Sequence, residues 1–154
     1  MVSIEIGRVQ PIDSMHSVAT TSPSVLEELA FRAPVRFRVS GSDVFAATRA
    51  DRTTEVWSQQ ALLGFATAVR DTVSSLKPGD RRDVAIGDSG TLTLERRGDL
   101  LSIRFNTSSM SHHAPWEEVR RAFSNFAERV RLLLLRECPA IRRHPEWPRW
   151  FPDG

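Results

Sequence analysis

Among its 154 residues the chain has one cysteine, one lysine and no tyrosine. A single thiol, Cys138, cannot close an intrachain disulfide, which agrees with a reducing compartment. The absence of tyrosine removes phenolic acid–base chemistry. No apolar run approaches the roughly 20 residues of a membrane-spanning helix. The opening stretch MVSIEIGRVQPID has neither the basic region nor the apolar core of a secretory signal, so a cytoplasmic protein without a membrane partner is expected. The glycine patterns of dinucleotide and nucleotide-phosphate loops and the G-x-S-x-G elbow of serine hydrolases are missing too. No C-x-x-C or H-x-x-x-H pair supplies a metal ligand set, so no metal and no cofactor are expected.

What is present is ordinary globular material: 40% hydrophobic and 26% charged residues, with a formal charge of +2. Residues 1–95 carry ten basic and twelve acidic side chains, and residues 96–154 carry eleven and seven. The C-terminal part is mildly positive. Its Arg-Arg pairs stand beside acidic residues and read as solvated charge, which ranks nucleic acid below a protein partner.

Val2, Ile4 and Ile6 alternate with polar residues and predict a strand. Ser22-Pro23, followed by Val25, Leu26 and Leu29, predicts a short capped helix. Val35, Phe37 and Val39 alternate with arginines before a Ser-Gly-Ser-Asp turn, a β-hairpin signature. Between Thr54 and Lys77 the period changes, with Leu62, Phe65, Ala66, Val69, Val73 and Leu76 at three- and four-residue steps, predicting an amphipathic helix stopped by Lys77-Pro78-Gly79. Strands are then expected over 83–87, 91–95 and 100–107, joined by tight turns and hence antiparallel. A second long helix opens at Pro115, carries Trp116, Val119, Phe123, Phe126, Val130, Leu133 and Leu134 as one stripe, and ends at Cys138-Pro139.

Apolar-faced strands and striped helices satisfy each other in layers. The expected fold is an α+β two-layer sandwich: an antiparallel sheet of about five to six strands with two long amphipathic helices packed on one face. Residues 1–138 form its single domain, and 139–154 form a Pro/Trp-rich tail folded back on it.

His112 and His113 precede Glu117 and Glu118 at a strand-to-helix junction, where a loop pair near the helix N-terminus is the plain reading. Cys138 sits at a helix C-terminus, whose dipole opposes a thiolate, and reads as a small buried hydrophobe. Arg97-Gly98-Asp99 is hairpin-turn chemistry. Arg142-x-x-Pro145-x-x-Pro148 matches a polyproline ligand, although Trp147, Trp150 and Phe151 are better explained as anchors. Leu132 points about 180° from Phe123, and Leu135 about 120°. The tail is therefore expected to cover these two leucines, or else a second subunit or a partner protein does.

The element order resembles that of small α+β bacterial domains that neutralise toxins by binding them. That resemblance implies a non-catalytic cytoplasmic binding protein, immunity- or accessory-type, acting through a protein-protein surface. Leu132, Leu135, Trp147, Trp150, Phe151, Arg142 and Arg143 are its expected binding residues, toward a protein partner or a second copy. The alternatives are a nucleic-acid binder using the Arg-rich C-terminal half with Arg36, Arg38 and Arg104, and a small-molecule enzyme using His112 or His113.

Overall fold

The computed structural model describes residues 1–10, 18–28, 30–48, 51–86, 90–106 and 110–153. Leu29, the turn at 87–89 and the strand end at Thr107 therefore lie outside the described residues.

The first sheet is built on β2 (Arg32–Val39), whose burial alternates strictly: Ala33, Val35, Phe37 and Val39 face the core. One edge of β2 pairs antiparallel with β1 (Val2–Ile6). Its other edge is shared by β3 (Ser42–Asp43) and β6 (Trp57–Ala61). Ser40 and Gly41 turn β2 into β3 with φ of 51° and 82°. Two positive φ values suit the twist of a two-residue hairpin, and glycine meets the second at no steric cost. A small ribbon of β4 (Ala47–Thr48) and β5 (Thr54–Glu55) precedes β6.

The second sheet runs β10-β9-β8-β7, with β7 Arg81–Ala85, β8 Thr91–Arg97, β9 Leu100–Phe105 and β10 His112–Pro115. All its pairings are antiparallel. The α+β sandwich is as expected, with its strands divided over two four-stranded sheets. The division follows from β6, which runs directly into α2 (Leu62–Ser75) and so cannot turn back on β7 as a hairpin. The helical pattern begins at Leu62; before it, Thr54–Glu55 and Trp57–Ala61 are strands because they pair with β4 and β2.

α1 spans Pro23–Glu28, α3 spans Trp116–Glu137 and α4 spans Trp147–Trp150. Pro115 ends β10 one residue before α3 begins, and no helix breaker intervenes. The α3 face carrying Val119, Phe123, Phe126, Val130 and Leu134 is buried. Phe123 packs edge-on to Phe37 of β2 at 5.3 Å and to Phe65 of α2 at 6.0 Å, so one ring joins sheet to both long helices. Phe45 meets Phe105 of the second sheet at 5.0 Å. Trp116 ties the start of α3 to the end of α2, its indole N–H donating to the Val73 carbonyl at 2.8 Å while the Arg96 guanidinium stacks 3.8 Å above the ring.

Truncating Phe123 to alanine opens a cavity at this junction, and an expected loss of about 3–5 kcal/mol follows. Arg121 is exposed on the opposite face, and Arg121→Ala should change stability by less than about 0.5 kcal/mol. Urea unfolding midpoints of the two variants check the assignment; equal midpoints would contradict it.

Candidate functional site

Where the two sheets fail to join, a groove of about 450 Å³ opens. Gln59, Gln60 and Ala61 of β6 line it with Ala85 and Ile86 at the end of β7, and Phe65 and Ala68 of α2 form an apolar floor. Glu27 and Glu28 of α1 and Arg32 at the start of β2 supply charge at its rim. The volume falls within the range of about 300–1,000 Å³ typical of ligand clefts. α1 reaches the groove because residue 64 is glycine: a Cβ there would collide with the Glu27 carbonyl.

Beside the groove, β7 ends the second sheet. The Ile86 N–H donates to the Gly90 carbonyl and the Arg96 N–H to the Asp80 carbonyl, each at 2.9 Å. Even-numbered residues of this segment therefore bond toward β8. By the alternation of an antiparallel ladder, the N–H and C=O of Arg81, Asp83 and Ala85 point the other way, where no strand pairs with them among the described residues. The outer edge of β1 differs, for Arg129 of α3 reaches across and donates to the Ile4 carbonyl. Among the described residues the β1 edge is guarded and the β7 edge has no strand beyond it.

The C-terminal aromatic residues are elsewhere. Trp147, Trp150 and Phe151 are 3%, 1% and 4% exposed and join Ile141 in the single core cluster. The Trp150 indole N–H and the Arg149 guanidinium both donate to Glu27 Oε1, at 2.6 and 2.7 Å. His144 Nδ1 accepts from the Glu146 N–H at 3.1 Å, which leaves Nε2 to donate to the Thr21 carbonyl at 2.8 Å. The imidazole stacks on Trp150 at 5.0 Å, and Arg70 of α2 lies over the Phe151 ring. The tail thus closes over α1, α2 and the Ala127–Arg131 flank of α3. It does not cover Leu132, which remains 54% exposed. Ala127 and Arg131, on the covered flank, are turned roughly 140° and 100° from that leucine, while Glu128 at its margin lies within about 40°. Leu135 packs partly buried against the core, while Arg142 and Arg143 are exposed. The expected binding residues are therefore not one surface: the aromatic three point inward, and Leu132 and the two arginines point outward.

On the first sheet's outer face, Arg36 makes a two-pronged ion pair with Asp43 at 2.7 and 3.1 Å, and Arg38 pairs with Glu5 at 2.9 Å. These cations are neutralised locally, which leaves little field for a phosphate backbone. Arg104 forms no ion pair among the described residues.

His112 and His113 belong to strand β10, so they occupy opposite faces. The expected loop pair is a strand pair, because both residues register against β9. His112 is buried and His113 exposed. Burial, helped by the nearby His113, lowers the His112 pKa against the opposing pull of Asp43. Burial raises the pKa of the half-buried Cys138 thiol, which disfavours a nucleophilic thiolate. Among the described residues no three His, Cys, Asp or Glu side chains converge as metal ligands, and no helix is long and apolar enough to cross a membrane. The groove itself was not legible as a site. Its walls come from β6, whose pattern is hidden by the helix it runs into, and from an edge whose openness is a property of topology.

No protein-family model, curated protein or solved structure matches the chain.

Two measurements test these contacts. Trp147 Nε1 is buried with no hydrogen-bond partner among the described residues, whereas Trp150 Nε1 bonds a carboxylate. Trp150→Phe should therefore cost about 1 kcal/mol more than Trp147→Phe, read from thermal or urea unfolding. Equal costs would show that the Glu27 bond adds nothing. For His112, a lowered folded pKa means that the unfolded chain binds the proton first. Stability should therefore rise with pH from the folded value up to the ordinary histidine value of about 6.5, and fall as the pH drops through that window. His112→Gln should flatten this slope in urea titrations carried downward in pH from about 6.5.

Proposed function

We propose that the chain is a non-catalytic cytoplasmic binding protein of the immunity or accessory type, which holds a protein partner in the groove between its two sheets. One observation carries this reading: an unpaired strand edge, β7, lies beside a groove with an apolar floor. Open edges offer backbone hydrogen bonds to another chain, and proteins usually blunt or cover them. Here the β1 edge is covered by Arg129 while β7 is left accessible. Ala68, partly exposed beside the buried Phe65 and Ile86, adds apolar surface for side chains that follow. Leu132, Arg142 and Arg143 each stay outward and offer subsidiary contacts to a partner.

The test is affinity capture from an extract of the native host, treated with nuclease, using wild type, Ala68→Arg and Leu132→Glu. A protein retained by wild type and Leu132→Glu but lost with Ala68→Arg is the expected result. Loss with Leu132→Glu alone would move the interface to α3. Dependence on nucleic acid would overturn the reading.

A further inference from the structure

We propose that the partner enters as an extended strand added antiparallel to β7, with a side-chain order that β7 itself specifies. The proposal rests on the groove as the binding site and goes on to name the chemistry of what fills it. A strand lying about 4.8 Å outside β7 takes its backbone bonds from Arg81, Asp83 and Ala85. Its side chains opposite these three share the outer sheet face, and those opposite Arg82, Val84 and Ile86 turn to the inner face. Val84 and Ile86 are buried, and Ile86 adjoins Phe65 and Ala68 in the groove. Partner residues opposite Ile86 and Val84 stand two positions apart on that inner face, the first of them beside Phe65 and Ala68, and apolar side chains suit both.

Charge sets the rest. Arg81, Arg82 and Asp83 are all exposed, and none has an ion-pair partner among the described residues; Asp83 accepts only the Thr93 hydroxyl, at 2.8 Å. A base opposite Asp83 and acids opposite Arg82 and Arg81 complement them, since opposite charges across a strand pair stabilise and like charges destabilise. Read from its N-terminus, the partner segment runs apolar, small, apolar, basic, acidic, acidic. A second copy of β7 is the poorer fit. With Asp83 at the two-fold axis two carboxylates meet; with Arg82 there Arg81 faces Asp83 twice but two guanidiniums meet, so neither register complements all three charges as the partner segment does.

The direct test uses the capped peptide Val-Ser-Val-Lys-Glu-Glu and its charge-inverted counterpart Val-Ser-Val-Glu-Lys-Lys with the full chain. The matched peptide should slow hydrogen exchange at the Arg81, Asp83 and Ala85 amides at least about tenfold, and bind about tenfold more tightly than the inverted one. The preference should reverse in an Arg81→Glu, Asp83→Lys variant. Ala85→Pro removes an edge N–H that bonds nothing inside the sheet, so it should abolish peptide binding while the remaining amides keep their protection. If that variant fails to fold, the wild-type peptide comparison still decides. Binding indifferent to charge, protection elsewhere or no binding at millimolar peptide would overturn strand addition. If Ala68→Arg still loses the native partner in that event, the groove stands and only the strand is wrong; if it does not, both readings fall.

Discussion

Six phenylalanine rings hold the halves of this molecule together. Phe37 and Phe45 come from the first sheet and its hairpin, Phe105 from the second sheet, Phe65 from α2, and Phe123 and Phe126 from α3, with neighbouring centroids 5.0 to 6.2 Å apart. The tilted and edge-on pairs add about 0.5–1.5 kcal/mol each beyond burial and set spacing as well as stability. The two sheets share no described hydrogen-bonded strand pair, so their separation depends on this packing. The groove is the gap that remains, and Phe65 serves both as core and as groove floor.

The C-terminal segment acts on the same gap from the far side. Its Arg149 and Trp150 hold the Glu27 carboxylate, and Glu27 belongs to the helix that forms one groove wall. Gly64 lets that helix press onto α2 at the Glu27 carbonyl. α1 is only six residues long, too short to persist by its own hydrogen bonds. Tail and glycine together fix the wall, so the aromatic terminus supports the groove from behind.

The sequence disclosed what is periodic. The α3 stripe, the alternation in β2 and the meander β7-β8-β9 follow from spacing and turn residues, because each buries one face against a single core. Division into two sheets was less legible: Trp57–Ala61 has little alternation and adjoins a strong helical pattern. Leu132 was read correctly as off the core stripe, but the tail's path could not be inferred from helical angles on α3 alone. It is set by Glu27 and Thr21, more than 120 residues away. The open edge of β7 is likewise a fact of pairing, which no residue type announces.

The contrast between β1, under Arg129, and β7, with no strand beyond it among the described residues, makes the central claim measurable in the free protein. Amide exchange along β7 should alternate. Arg82, Val84 and Ile86, bonded toward β8, exchange slowly, while Arg81, Asp83 and Ala85 exchange at rates near those of unstructured chain. Uniform protection of all six amides in the monomer would mean that the edge is already occupied, and would contradict the docking role proposed for it.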